Sequence, residues 1–199
     1  MKHIKLLFVL ICIFSVSSLL NACASNVKLQ PAYEHAVRDA SIAEKGEIAD
    51  DLIAVNTENR QLVWNKDKTK ILVVSWKGKE SYEKYIKPLN MTSTDESHVV
   101  WVTTVPQVQE FCQKFSHNNP DATEADTNMR LKQYLGLNPA WQYDVFVELW
   151  VSPDDMFRPC VDPEINDSTC NLKFEKPAPS VKGIQNYPGF YKDLYYSRF

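Results

Sequence analysis

The run ILVVSW, residues 71 to 76, opens with four successive apolar side chains, Ile71 to Val74. A strand with one wet face alternates apolar and polar residues, whereas a continuous apolar run suits a strand covered on both faces. A chain carrying such a strand must bring cover to both sides of a sheet. Its apolar content of 44% and aromatic content of 12% are those of a folded body able to do so.

Around that strand, two hydrophobic periods take turns. QLVW and KILVVSW flank the polar turn NKDKT and read as a β-hairpin. HVVWVTTV reads as a third strand and YDVFVELWV as a fourth. Helical spacing fills the gaps. Tyr33, Ala36, Val37, Ala40 and Ala43 share one side of a helix running to about Lys45, and KESYEKYIKPL is a short helix stopping before Pro88. Pro106 starts a helix to about Phe115 with Thr104 as its cap, and TNMRLKQYLGL is a helix closed by Gly136 and Pro139. EIADDLIAV fits either a helical piece or a strand entry. From Pro153 to Pro188 the chain is Pro-rich and loses its periodicity, and the closing FYKDLYYSRF either docks as a last strand or marks a chain cut short. The order predicts an α/β or α+β fold. We expect a single domain over 32–199, a mixed sheet of about four strands, flanking helices, and an irregular Pro-rich segment from about residue 152.

The N-terminus has the three parts of an export signal. Lys2, His3 and Lys5 form a basic start, residues 6 to 20 (LLFVLICIFSVSSLL) an apolar stretch, and small residues follow. That stretch is shorter than the roughly 20 residues a membrane span needs. Residues 1 to 25 resemble a bacterial lipoprotein signal, with Leu20-Asn21-Ala22-Cys23 at the box and Asn21 departing from its commonest second residue. The resemblance implies removal of residues 1–22, a lipidated Cys23, a tether over 23–31, and a body facing the periplasm. With Ala24 rather than aspartate next, it implies sorting to the outer membrane in a Gram-negative cell. Three acyl chains exceed the two signals that stable anchoring needs. Ala22-Cys23-Ala24 also fits ordinary secretory cleavage after Ala24, which would discard the cysteine.

Without the first 22 residues the body has 177, enough for one domain with few to spare for a second. Loss of Lys2 and Lys5 leaves 20 basic against 25 acidic side chains, a net charge of −5. Nucleic-acid binding normally needs the opposite surplus, so no nucleic-acid partner is expected. Three cysteines remain besides Cys23. Cys160 and Cys170 bracket the polar CVDPEINDSTC, and a disulfide between them suits an oxidising compartment. Cys112 lies in the amphipathic VPQVQEFCQKF, where a buried free thiol is expected. From HVVWVTTVPQVQEFC through QYLGLNP to VELWVSPDDMFRPC, about residues 60 to 170, the body resembles a group of uncharacterised bacterial proteins with no known activity. No functional residue carries over from it.

The best place for chemistry is VFVELWVSPDDMFRPC. In a strand, Phe146, Glu148 and Trp150 share one face, so Glu148 sits between two aromatics. Burial there would raise its pKa towards that of a general acid or base. Asp154, Asp155 and Arg158 follow at the strand's end, where open sheets often carry sites. Competing readings are structural: Glu148 reaches solvent at a sheet edge, Asp154 starts a turn, and Arg158 pairs with it. Cys112 and His117 lie five residues apart in one helix, which does not point them together. No paired histidine or cysteine spacing of a metal site occurs, and neither a phosphate loop nor a G-x-S-x-G elbow is present. The catalytic residues are therefore unknown, and neither cofactor nor metal is expected. The reading is a lipid-anchored cell-envelope protein with a binding or structural role. Its partners are the membrane, through the anchor, and an unidentified envelope protein or ligand met by a groove of Trp64, Trp76, Trp101, Trp141 and Trp150, although those rings suit core packing better. The alternative is a small envelope hydrolase using Glu148 and the Asp154/Asp155 loop.

Overall fold

The structure is a computed structural model that describes residues 29–88 and 99–197. The export signal, Cys23, most of the tether, the polar run 90–97, His98 and Phe199 lie outside the described residues.

The strand read from ILVVSW is there, as β1 (Ile71–Lys77), and it is the centre of the sheet. β2 (Thr103–Thr104) pairs with it on one side and β3 (Val145–Val151) on the other, both antiparallel, in the order β2-β1-β3. The class is thus α+β. The expected mixed sheet of about four strands is instead, among the described residues, a three-stranded antiparallel one. QLVW accounts for the difference. It meets β1 through a bridge from Trp64 to Ile71 and the Leu72 N–H to Val63 carbonyl bond of 2.8 Å, then turns away at Leu62. The hairpin turn itself is closed by a side chain. Asn65 Oδ1 accepts the N–H groups of Thr69 and Lys70, both at 2.9 Å.

Both faces of β1 are covered, as its continuous apolar run requires. Ile71 and Val73, fully buried, pack with Val55 and Leu62, joined by Ile53, Trp64, Leu149 and Ile165. Burial of this completeness contributes roughly 1.5–3 kcal/mol per side chain. Trp76, on the other face, packs with Val108 and Leu131.

Those two residues belong to a helical layer. In α3 (Gln107–Asn118), Val108, Phe111 and Cys112 sit at i, i+3 and i+4, which lays them along the stripe facing Trp76. Thr104 does not cap this helix. Pro106 occupies the cap position without a side-chain bond, and the Thr104 hydroxyl bonds the Gln107 side chain at 3.3 Å. α4 (Glu124–Tyr134) starts with a reciprocal cap that TNMRLKQYLGL did not include. Thr123 Oγ1 accepts from the Asp126 N–H at 3.2 Å, and Asp126 accepts from the Thr123 N–H at 2.9 Å. It ends where Gly136 was expected to end it. The Leu137 N–H reaches the Lys132 carbonyl and the Gly136 N–H the Gln133 carbonyl, which holds Gly136 at φ 64°. Phe111 stacks on Tyr134 at 3.9 Å and ties the two helices together.

The remaining elements flank this frame. α1 covers 29–39, shorter than the run to Lys45, and a one-turn 3-10 helix, Lys45–Glu47, follows. α2 (Lys79–Ser81) continues into a π turn at Tyr82–Ile86. After Glu47, which ends the 3-10 turn, EIADDLIAV is neither helix nor named strand. It runs beside the tail, with Leu52 bonded to Ser168, Val55 to Ile165, and Ala49 bridged to Cys170. The described part of FYKDLYYSRF, as far as Ser197, belongs not to a strand but to α5 (Tyr187–Ser197). Tyr187, Phe190, Tyr191 and Leu194 recur at helical spacing, and Asn186 Oδ1 caps the start through the Gly189 N–H at 3.2 Å. Among the described residues no helix is long and apolar enough to cross a membrane.

Candidate functional site

Each candidate residue follows from the elements just described. In β3 the side chains alternate between half-buried and exposed. Val145, Val147, Leu149 and Val151 turn inward, while Phe146, Glu148 and Trp150 face solvent. The shared face read from the sequence is real, but the burial that would make Glu148 a proton-transfer group is absent. β3 is an edge strand, and the helical layer covers β1 without extending over it. Glu148 stands opposite Val74, flanked by Phe146 at 49% and Trp150 at 47% exposure.

Asp154 and Asp155 sit on a single 3-10 turn, Pro153–Asp155, opened by Ser152, whose hydroxyl accepts from the Asp154 N–H. Asp155 pairs with Lys182 at 2.6 Å across an exposed surface. That pairing, with Asp154 adding its charge, raises the Lys182 ammonium above its usual range.

Arg158 does not turn towards either aspartate. Its guanidinium donates to the carbonyls of Asp167 (2.7 Å), Thr169 (2.9 Å) and Ile53 (3.3 Å), with the Asp167 carboxylate at 3.4 Å. A planar fork with five donors suits such a ring of acceptors. The Asp167 carboxyl is held below its usual range first by the Thr169 N–H, then by the Thr169 hydroxyl, Glu164 and Arg158. Arg158 thus locks the loop between Cys160 and Cys170 onto the segment at Ile53. The expected disulfide closes the same loop, with Cα atoms 6.2 Å apart. Asp162 lies beside the two sulfurs, and its carboxylate accepts from the Asn171 N–H and side-chain amide.

Tyr187 was not singled out by the sequence and is the most buried aromatic of this region. Its hydroxyl donates to the Cys160 carbonyl at 2.6 Å and accepts from the Cys160 N–H at 3.2 Å. Burial pushes its pKa up to about 12, partly offset by the backbone bond to Cys160. Phe157, Phe174, Phe190 and Tyr191 pack around it with ring centroids 5.9–6.3 Å away. A half-open cleft of about 450 Å³ lies alongside, lined by Phe157, Asp162, Glu164, Asp167, Glu175 and Lys182.

Cys112 is free and half-buried on α3, and burial raises its thiol pKa, while His117 is exposed one turn further on. The tryptophans divide. Trp64 and Trp76 pack in the two core clusters, with Trp76 stacked on Phe146 at 5.4 Å and on Tyr143 at 5.0 Å, whereas Trp101, Trp141 and Trp150 are 43–55% exposed. They form no single groove. The structure therefore separates Glu148, on the open sheet edge, from Arg158, in the loop clamp. Compared with known proteins, the chain matches no family model, no curated protein and no solved structure.

Proposed function

We propose that the protein is a lipid-anchored cell-envelope lipoprotein whose body faces the periplasm and serves a binding or structural role. The observation that carries the role is the commitment of the polar candidates. Arg158 is spent on backbone carbonyls and Asp155 on Lys182, while the aromatic pair around Glu148 is left facing solvent. Such a surface fits recognition better than proton transfer. The anchor rests on Leu20-Asn21-Ala22-Cys23. Five residues separate Cys23 from α1, a reach of at most about 20 Å, so an acylated Cys23 holds the body close to the membrane surface. The body acts as one unit, because Ala49, Leu52, Ile53 and Val55 bond directly to the disulfide loop or to Arg158 beside it.

The intact mass of the protein from its own membranes tests the anchor. A chain starting at Cys23 and carrying three acyl chains is the expected result. A lipid-free chain starting at Ser25 would replace the anchored protein with a freely exported one.

A further inference from the structure

β1 shows which way the backbone of β3 points. The Leu72 N–H bonds to Val63 and its carbonyl accepts from Val105, both on the side of β1 away from β3. Val74 points the same way, its carbonyl accepting from the Thr103 hydroxyl. The ladder with β3 is therefore carried by Ile71, Val73, Ser75 and Lys77, opposite Val151, Leu149, Val147 and Val145. Phe146, Glu148 and Trp150 consequently turn their N–H and carbonyl groups outward, to an edge where no described residue pairs with them. Three donors, three acceptors and three solvent-facing side chains lie in register on one open edge. Long apolar edges of this kind are templates for another strand unless something blocks them.

The side chains select the occupant. In antiparallel addition, the residue opposite Glu148 lies about 5.5 Å away, Cα to Cα, and the residues two positions to either side meet Phe146 and Trp150. A second copy of β3 in the register that pairs Phe146 with Trp150 sets Glu148 against Glu148, and like charges directly opposite are destabilising. The body's surplus of acidic side chains works against self-association as well. We propose that the open edge of β3 binds an extended polypeptide segment of another protein, with an arginine or lysine opposite Glu148 and apolar residues two positions to either side. Arginine suits it best, since its guanidinium both bonds the carboxylate and stacks on the neighbouring ring. This names the partner class for the binding role proposed above, and it holds whether or not Cys23 is acylated.

The test uses the exported chain and an acetylated, amidated heptapeptide with arginine at its centre, valine two positions to either side and threonine elsewhere. Amide hydrogen exchange is followed residue by residue. Added peptide should slow exchange at Phe146, Glu148 and Trp150 at least tenfold and leave Val147 and Leu149, already paired, unchanged. Glu148→Lys should weaken binding of this peptide at least tenfold and gain a peptide with glutamate at its centre. No protection at millimolar peptide would overturn the proposal. So would protection of the same amides by the protein's own concentration, which means a second copy, or by anionic vesicles without peptide, which means a lipid surface. Acylation is read separately from the N-terminal mass, so failure of either reading leaves the other standing.

Discussion

Replacing Tyr187 by Phe removes one oxygen from the point where α5 meets the disulfide loop, and the structure sets the size of the effect. At neutral pH the loss leaves the Cys160 carbonyl without its donor, while the Cys160 N–H keeps its 2.8 Å bond to the Arg158 carbonyl. Unmet groups of this kind cost about 1–3 kcal/mol, so the variant should be less stable by that amount at pH 7. The alkaline limb behaves in the opposite sense. Tyr187 keeps its proton to about pH 12 in the folded protein and to about pH 10 when exposed. A folded pKa raised in this way gives stability that is complete below pH 10 and lost as pH climbs through 12. Two units correspond to about 2.7 kcal/mol, most of which the native protein surrenders by pH 12. Tyr187→Phe has nothing to surrender there. Tyr33, Tyr143 and Tyr191, also raised by burial, titrate in both proteins and cancel in the difference. Urea unfolding at intervals from pH 7 to 12, without thiols, should show the stability gap narrowing by about 2 kcal/mol. Parallel profiles for the two proteins would refute the buried, proton-holding hydroxyl.

Reducing the Cys160–Cys170 bridge, or replacing both by Ser, should cost roughly 2.5–3 kcal/mol for so short a loop in urea titrations, and alkylation should count two more thiols after reduction than before. Cys112 should react slowly with iodoacetamide at pH 7.5, because burial raises its pKa and leaves little thiolate; a rate equal to that of free cysteine would contradict its half-buried place on α3. Arg158→Met should lower stability by about 3 kcal/mol, since it strands the Asp167, Thr169 and Ile53 carbonyls together, and Arg158→Lys should recover little of it because an ammonium cannot fork among them. Gly136→Ala should cost about 1 kcal/mol by thermal unfolding. No atom lies within 4 Å of the added Cβ, so the whole effect comes from the left-handed backbone.

Local chemistry was legible in the sequence wherever a short stretch contained its own reason. ILVVSW called for two covering layers and received them, Gly136 stopped α4, and the brackets of CVDPEINDSTC closed on each other. Phe146, Glu148 and Trp150 had to share a face, because side chains in a strand alternate whatever surrounds them. Whether that face would be buried was a different kind of question. It depended on where α3 and α4 stop covering the sheet, which is set by how Val108 and Leu131 pack on Trp76 and not by the alternation along β3. Arg158 is another instance. Its nearest acidic neighbours in the chain suggested a pair with Asp154, but its donors go to Asp167, to Thr169 and to Ile53, 105 residues away. The last helix escaped notice because the Pro-rich stretch before it hid a period that begins only at Tyr187, and its burial depends on the Cys160 backbone waiting to receive the hydroxyl. Period, turn and cap are set by neighbours in the chain, and the sequence determined them. Which polar group meets which, and which face stays open to a partner, is set by contacts between distant segments, and only the tertiary structure decided it.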